Sequence, residues 1–212
     1  MIDIIQNFIL SIFGDNPILA TIIISMVPVV ELRGAIPFGS SKEIWGDNAL
    51  SVLEASFYTV IGSIISALAV ILLMIPIFKL LKKAKIFRGF IESLEIKFKK
   101  KSDKIQMDAE ENKKKSLKKW LGVMAFVAIP LPLTGVWTGS AVAVFLEMGF
   151  WKSFTSISIG AIIAACIVMI VSSILGEGAL VIFYAFLIIL IVLVVAYIVK
   201  ALFIKIKVEK LN

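Results

Sequence analysis

Apolar residues dominate the chain in long blocks, and short polar stretches mark where elements begin and end. Residues 2–13 set Ile4, Ile5, Phe8, Ile9 and Phe13 at helical spacing, with Asp3 and Gln6 off that stripe. Such a segment is too short to span a bilayer, which takes about 20 apolar residues, so 1–13 reads as an interfacial helix. Gly14-Asp15-Asn16-Pro17 predicts a turn and a helix start, with Asn16 as cap and Pro17 at the first helical position. The apolar run from Pro17 to Val30 is again too short to span. It meets Glu31, Arg33, Gly34, Pro37 and Gly39 within a few positions, with Pro28 just before them. Proline removes an amide donor and glycine relaxes the backbone, so a break at membrane depth is expected. Residues 17–39 then read either as one kinked helix with a tolerated ion pair or as a re-entrant hairpin.

The blocks that follow are simpler. Residues 40–48 form a polar connection. Residues 49–78 are apolar apart from Glu54 and long enough to span with tilt. Gly62, Ser63, Ser66 and Ala67 give that span a small-residue face suited to close helix packing. Residues 79–119 hold 15 Lys/Arg and 6 Asp/Glu around a stripe of Ile86, Phe87, Phe90, Ile91, Leu94 and Phe98, a basic amphipathic segment suited to a membrane surface. Residues 120–148 are apolar but interrupted by Pro130, Pro132, Gly135 and Gly139, which predicts either a second break or a helix-packing motif. Residues 154–175 and 179–199 are two further spans separated by Gly176-Glu177-Gly178, and 200–212 is a basic tail.

Composition turns this pattern into a class. Of 212 residues 60% are hydrophobic, and the mean hydropathy is +1.03. This predicts an all-α integral membrane protein with one membrane domain over 1–212. The net charge of +7 speaks of topology and lipid headgroups, with no nucleic acid expected as partner. The chain has no histidine and a single cysteine, Cys166, which sits in an apolar run and reads as a packed small hydrophobe. Zinc and copper sites of the His/Cys type are excluded, as is Ser-His-Asp or Cys-His catalysis, so an enzyme is not expected. The N-terminus lacks a positive leader region, and no cleaved signal is expected.

Charge parity selects among topologies. The positive-inside rule puts 79–119 in the cytoplasm. If 120–148 crossed the membrane, Lys152 and the lysines of the tail would lie outside. If it dips in and returns, every basic cluster shares the cytoplasmic face. Residues 1–32 contain no Lys or Arg, which suits an outside N-terminus and a hairpin over 17–39 that enters from outside. The expected fold is an inverted repeat of two opposed re-entrant hairpins, each followed by a transmembrane helix, plus one extra C-terminal transmembrane helix. Transporters built this way place a midplane site between broken helices.

Within that plan Arg33 is the best anion-binding candidate, since guanidinium stays charged and grips phosphate in a bidentate manner. Glu31 is the candidate site for a coupling proton or sodium ion; no other cofactor and no metal site is expected. Thr134, Trp137 and Thr138 would form the opposite wall. Gly34, Pro37, Pro132 and Gly135 shape the broken segments whose backbone groups would face the same substrate. A structural reading stands beside this one, in which Glu31 and Arg33 only hold the hairpin's shape and Trp137 only packs. Glu54 and Glu147 read as interfacial, and Glu177 as a loop residue.

Pro28-Val-Val-Glu-Leu-Arg-Gly-Ala-Ile-Pro-Phe-Gly39 and Pro130-Leu-Pro-Leu-Thr-Gly-Val-Trp-Thr-Gly139 resemble the small multidrug export family, which looks like a distant relative of the DedA/VTT membrane proteins. The resemblance covers nearly the whole chain. It implies paired re-entrant loops in inverted repeats, and in the DedA-like relatives the movement of lipids, including polyprenyl-phosphate carriers. The chain has no evident copy of the second-loop arginine motif of DedA proteins. Three functions follow as expectations: a secondary transporter exporting a small amphiphilic or anionic substrate, a DedA-like lipid flippase or scramblase acting on a phosphate headgroup, or a non-transporting scaffold. Membrane lipids and a small amphiphilic or phosphate-bearing substrate are the expected partners, in the cell membrane. A homodimer would cover part of the large lipid-facing surface.

Overall fold

The computed structural model describes residues 9–83, 109–131 and 134–200, less 183, 186, 187, 190, 193, 194 and 198. Among the described residues there are helices and turns and no strand. The larger helices are α1 (Pro17–Met26), α2 (Glu31–Gly39), the short α3 (Lys42–Trp45), α4 (Val52–Lys83), α5 (Ala109–Ala128), α6 (Val136–Phe145) and α7 (Phe150–Leu175). Residues 9–13 are helical, and so is every described residue from 180 to 200. Among the described residues two helices are long and apolar enough to cross a membrane, Val52–Leu80 and Phe150–Leu175. The third expected span, 179–199, is broken up by residues outside the described set. Most of the basic segment, 84–108, lies outside it too, as do 1–8 and 201–212.

Burial on the long helices is inverted relative to a water-soluble protein. On α4 the buried positions include Ala55, Ser56, Thr59, Ser63, Ser66 and Ala67, while Leu53, Phe57, Ile65, Leu68, Leu72 and Leu73 are exposed. On α7, Ser153, Ser156, Ala161, Ala164, Ala165 and Ser172 face inward, and Ile159, Ile162, Ile163, Ile167, Ile170 and Ile174 face outward. Small and hydroxylated residues inside with large aliphatics outside is how helices pack when the surroundings are lipid. Water would leave that continuous apolar exterior unstable. Cys166 belongs to this exterior: it is exposed, where the sequence reading had it packed. A small apolar thiol costs nothing against lipid.

The fold divides into two compact units. The first comprises Met1–Ser63, Pro130–Leu133 and Ala164–Asn212; the second comprises Ile64–Ile129 and Thr134–Ile163. In the first, Asn16 caps α1 by accepting from the Leu19 amide at 3.0 Å, and Pro17 opens the helix. The chain turns at 27–30 and returns as α2. Gly39, at the end of α2, lies against the Thr21 hydroxyl of α1, so the two arms run antiparallel. Asn48 Nδ2 donates to Asp15 Oδ2, which ties the chain leaving this hairpin to the chain that came in. Trp45 secures the same end: its indole donates to the Phe38 carbonyl at 3.0 Å and its ring meets the Phe38 ring edge-on. Ser51 and Glu54 then form a reciprocal cap for α4, the carboxylate accepting from the Ser51 amide at 2.9 Å.

The second unit repeats the device. α5 runs unbroken from the lysine-rich residues 113–119 into the apolar stretch to Ala128, and the chain returns as α6. Lys119 Nζ donates to the Leu146 carbonyl at 2.8 Å, and Lys152 Nζ to Ser116 Oγ at 2.7 Å. The Trp120 indole reaches Thr155 Oγ1 at 3.0 Å. Both ends of the α5–α6 segment therefore meet at one place.

Candidate functional site

α2 is nine residues long, and all nine are buried. Such burial is expected of a hydrophobic segment, yet this one carries Glu31 and Arg33, exposed by only 3% and 1%. Arg33 Nη1 donates to Glu31 Oε2 at 2.6 Å. Residues two apart on a regular helix point in different directions. Here they meet because Glu31 has φ +44 at the first position of α2, following Val29 at φ +75. A left-handed backbone is costly for these residue types, and for β-branched Val29 most of all. The turn thus stores strain that sets the carboxylate against the guanidinium. The carboxylate also sits in the first turn of α2, where the helix dipole favours negative charge.

Gly34 and Pro37 lie on the same buried helix. Pro37 has no amide to offer the Arg33 carbonyl four residues back, so the helical ladder is interrupted beneath the arginine. Neither Gly34 nor Gly39 takes a positive φ. The break is made by Val27–Val30, ahead of the glycines, and Gly39 serves close packing on Thr21 instead.

The other predicted site residues begin α6, in the second unit. Gly135 caps the helix in an extended conformation. Thr134 Oγ1 donates to the Ile129 carbonyl at 2.6 Å, and Thr138 Oγ1 to the Gly135 carbonyl at 3.2 Å. Trp137 and Thr138 are half-buried. Pro132 lies outside the described residues. Glu54 and Glu147 are exposed. The sequence reading overlooked the buried hydroxyls of Thr21 and Thr59, which with Ser63 have no hydrogen-bond partner among the described residues. Their signal was the spacing of Ser56, Thr59 and Ser63 along one face of α4.

The two hairpins share a local plan. Ser40 Oγ donates to the Ile36 carbonyl at 3.0 Å, and Ser140 Oγ to the Val136 carbonyl at 2.7 Å. Gly39 meets Thr21 of the first arm, and Gly139 meets Val127 of the other first arm. On the long helix that follows, Gly62 meets Ser25 and the Ile22 carbonyl, and Gly160 meets the Met124 carbonyl and Val127. In this register Glu31 and Arg33 correspond to Leu131 and Leu133, so the second hairpin has leucines where the first has its charged pair.

Residues 31–167 match the family model described as "Putative small multi-drug export protein". That is more than half of the chain, and the chain belongs to this family. No curated protein and no solved structure matches it. The family description and the two apolar helices agree on a membrane location, and the family description names export.

Proposed function

We propose that this chain is a secondary transporter that exports a small amphiphilic or anionic substrate. Arg33 binds the substrate's anionic group and Glu31 is the ion-coupling acid. The observation that carries the reading is the ion pair buried in α2. Two charges out of water are expensive, and membrane proteins that hold them do so mostly on substrate or ion pathways. An anionic substrate competes with Glu31 for the guanidinium, and protonation of Glu31 releases that guanidinium. One event thus couples to the other.

Depth supports the same reading. In the first unit α1 and α4 both start beside the Asp15–Asn48 contact, and Ser25 meets Gly62. Gly62 is ten residues into α4, about 15 Å at 1.5 Å per residue, which is half the hydrocarbon thickness of about 30 Å. The pair lies just beyond that level, at the turn end of the hairpin. The arms of ten and nine residues are each too short to cross, which supports re-entrance. The shared serine and glycine contacts support an inverted repeat.

Two measurements test this. In proteoliposomes with an imposed pH gradient, wild type is expected to drive a sulfonated naphthalene dye across the membrane. Arg33→Gln should slow that flux more than ten-fold, while Glu31→Gln should leave flux that no longer responds to the gradient. If wild type moves a headgroup-labelled phospholipid instead of the dye, the lipid-moving reading replaces this one; movement of neither ends both. For topology, single cysteines at Ser116 and Lys152 in a Cys166→Ala background should react with an impermeant thiol reagent from the same face. Labelling from opposite faces would rule out re-entrance of 120–148.

A further inference from the structure

The second unit holds a feature independent of the ion pair. Two clefts of about 300 and 340 Å³ adjoin each other and share Phe78 and Val144. One wall is the Ile71–Lys79 stretch of α4 and the other is the last two turns of α6. Phe78 and Phe145 meet edge-on between the walls, their centroids 5.8 Å apart. The body of this groove is aliphatic and aromatic, with Met74, Ile77 and Val142 along it. Polar groups gather only at one end, as Lys79, Glu147 and Ser153. The Ser153 hydroxyl is occupied, donating to the Gly149 carbonyl at 2.8 Å.

That end is also where the second hairpin closes. Lys119 binds the Leu146 carbonyl, next to Glu147, and Lys152 is tied to Ser116. Three ammonium groups and one carboxylate thus stand about the polar end. Two of the ammonium groups have a hydrogen-bond acceptor. Lys79 is exposed and has no hydrogen bond or ion pair among the described residues. An apolar groove with excess positive charge at one end matches an anionic head on a hydrocarbon tail.

We infer that this groove binds an anionic phospholipid of the surrounding leaflet, with an acyl chain along α4 and α6 and the phosphate on Lys79. The geometry favours this occupant over an uncharged lipid because the charged residues described on the groove, Lys79 and Glu147, lie at one end, where Lys119 and Lys152 flank them and leave an excess of positive charge. An exported amphiphile that used the Glu31–Arg33 pair would have no need of Lys79. The two sites therefore stand or fall separately.

The test is native mass spectrometry of the purified protein equilibrated with phosphatidylglycerol and phosphatidylcholine of matched chains. Wild type is expected to retain one phosphatidylglycerol with about five- to ten-fold preference, the effect of one lysine at a headgroup. Lys79→Gln should bring the ratio near one. Ala141→Phe, which fills the groove wall, should lose the lipid of either kind. Equal retention of both lipids by wild type would overturn the proposal, and so would a preference unchanged in Lys79→Gln. Should Ala141→Phe fail to fold, the exposed Lys79 still decides the question. Dye-driven flux in Lys79→Gln should match wild type.

Discussion

Arg33→Met is expected to destabilise the protein by about 3–5 kcal/mol, the usual loss when one partner of a buried ion pair is removed. The methionine roughly fills the guanidinium's space, so the loss comes from the carboxylate left at 4% side-chain exposure beside an apolar group. Glu31→Gln should cost less, because the amide still accepts a hydrogen bond from Arg33. The double variant Glu31→Gln/Arg33→Met should be more stable than Arg33→Met alone, since the buried carboxylate that lost its cation is then gone. Unfolding in mixed micelles, followed by tryptophan emission, measures all three. Additive losses would mean that the two side chains do not act as a unit, and the ion pair would lose its place in the mechanism.

Gly62→Leu and Gly160→Leu should each cost at least 1–3 kcal/mol, about the penalty of overpacking a well-filled interior. At Gly62 a Cβ would meet the Ser25 hydroxyl and come within 2.5 Å of the Ile22 carbonyl. At Gly160 it would come within 2.6 Å of the Met124 carbonyl and 2.9 Å of Val127 Cβ. Backbone cannot step aside as a flexible side chain can, so each long helix would be levered off its hairpin. Gly122 is the control: nothing lies within 4 Å of a Cβ there, and Gly122→Ala in mid-helix should be neutral or stabilising. A similar response at all three positions would mean that close packing at Gly62 and Gly160 holds nothing together.

These glycines show where sequence reading succeeded and where it stopped. Hydropathy located α4 and α7, because a run of apolar residues without breakers has few other outcomes in a membrane. The Asn16 cap and the Pro17 start were visible because their chemistry is local. The position of the first break was not. Prolines and glycines from Pro28 to Gly39 suggested a break somewhere in that stretch; residues 31–39 stay helical and the turn falls at its start, at 27–30. Val29 and Glu31 take left-handed angles that local preference disfavours, so packing of α2 on α1 overrode the residue preferences. The join at 119–120 was equally hidden. Hydropathy changes sharply there, but backbone hydrogen bonding does not depend on side-chain polarity, and α5 runs straight through. The charged pair was legible as two residues. Its geometry was not, since it depends on the φ of Glu31.

The shortness of α1 and α2 has a consequence for biogenesis. Arms of ten and nine residues, the second bearing an acid and an arginine, offer the insertion machinery no segment it would partition into lipid by itself. α4 does offer one, the 29-residue apolar stretch Val52–Leu80. If the first hairpin is re-entrant as proposed, it is expected to enter only once α4 is in place, by docking Ser25 onto Gly62. A nascent chain arrested before α4 emerges should leave Glu31 and Arg33 in water.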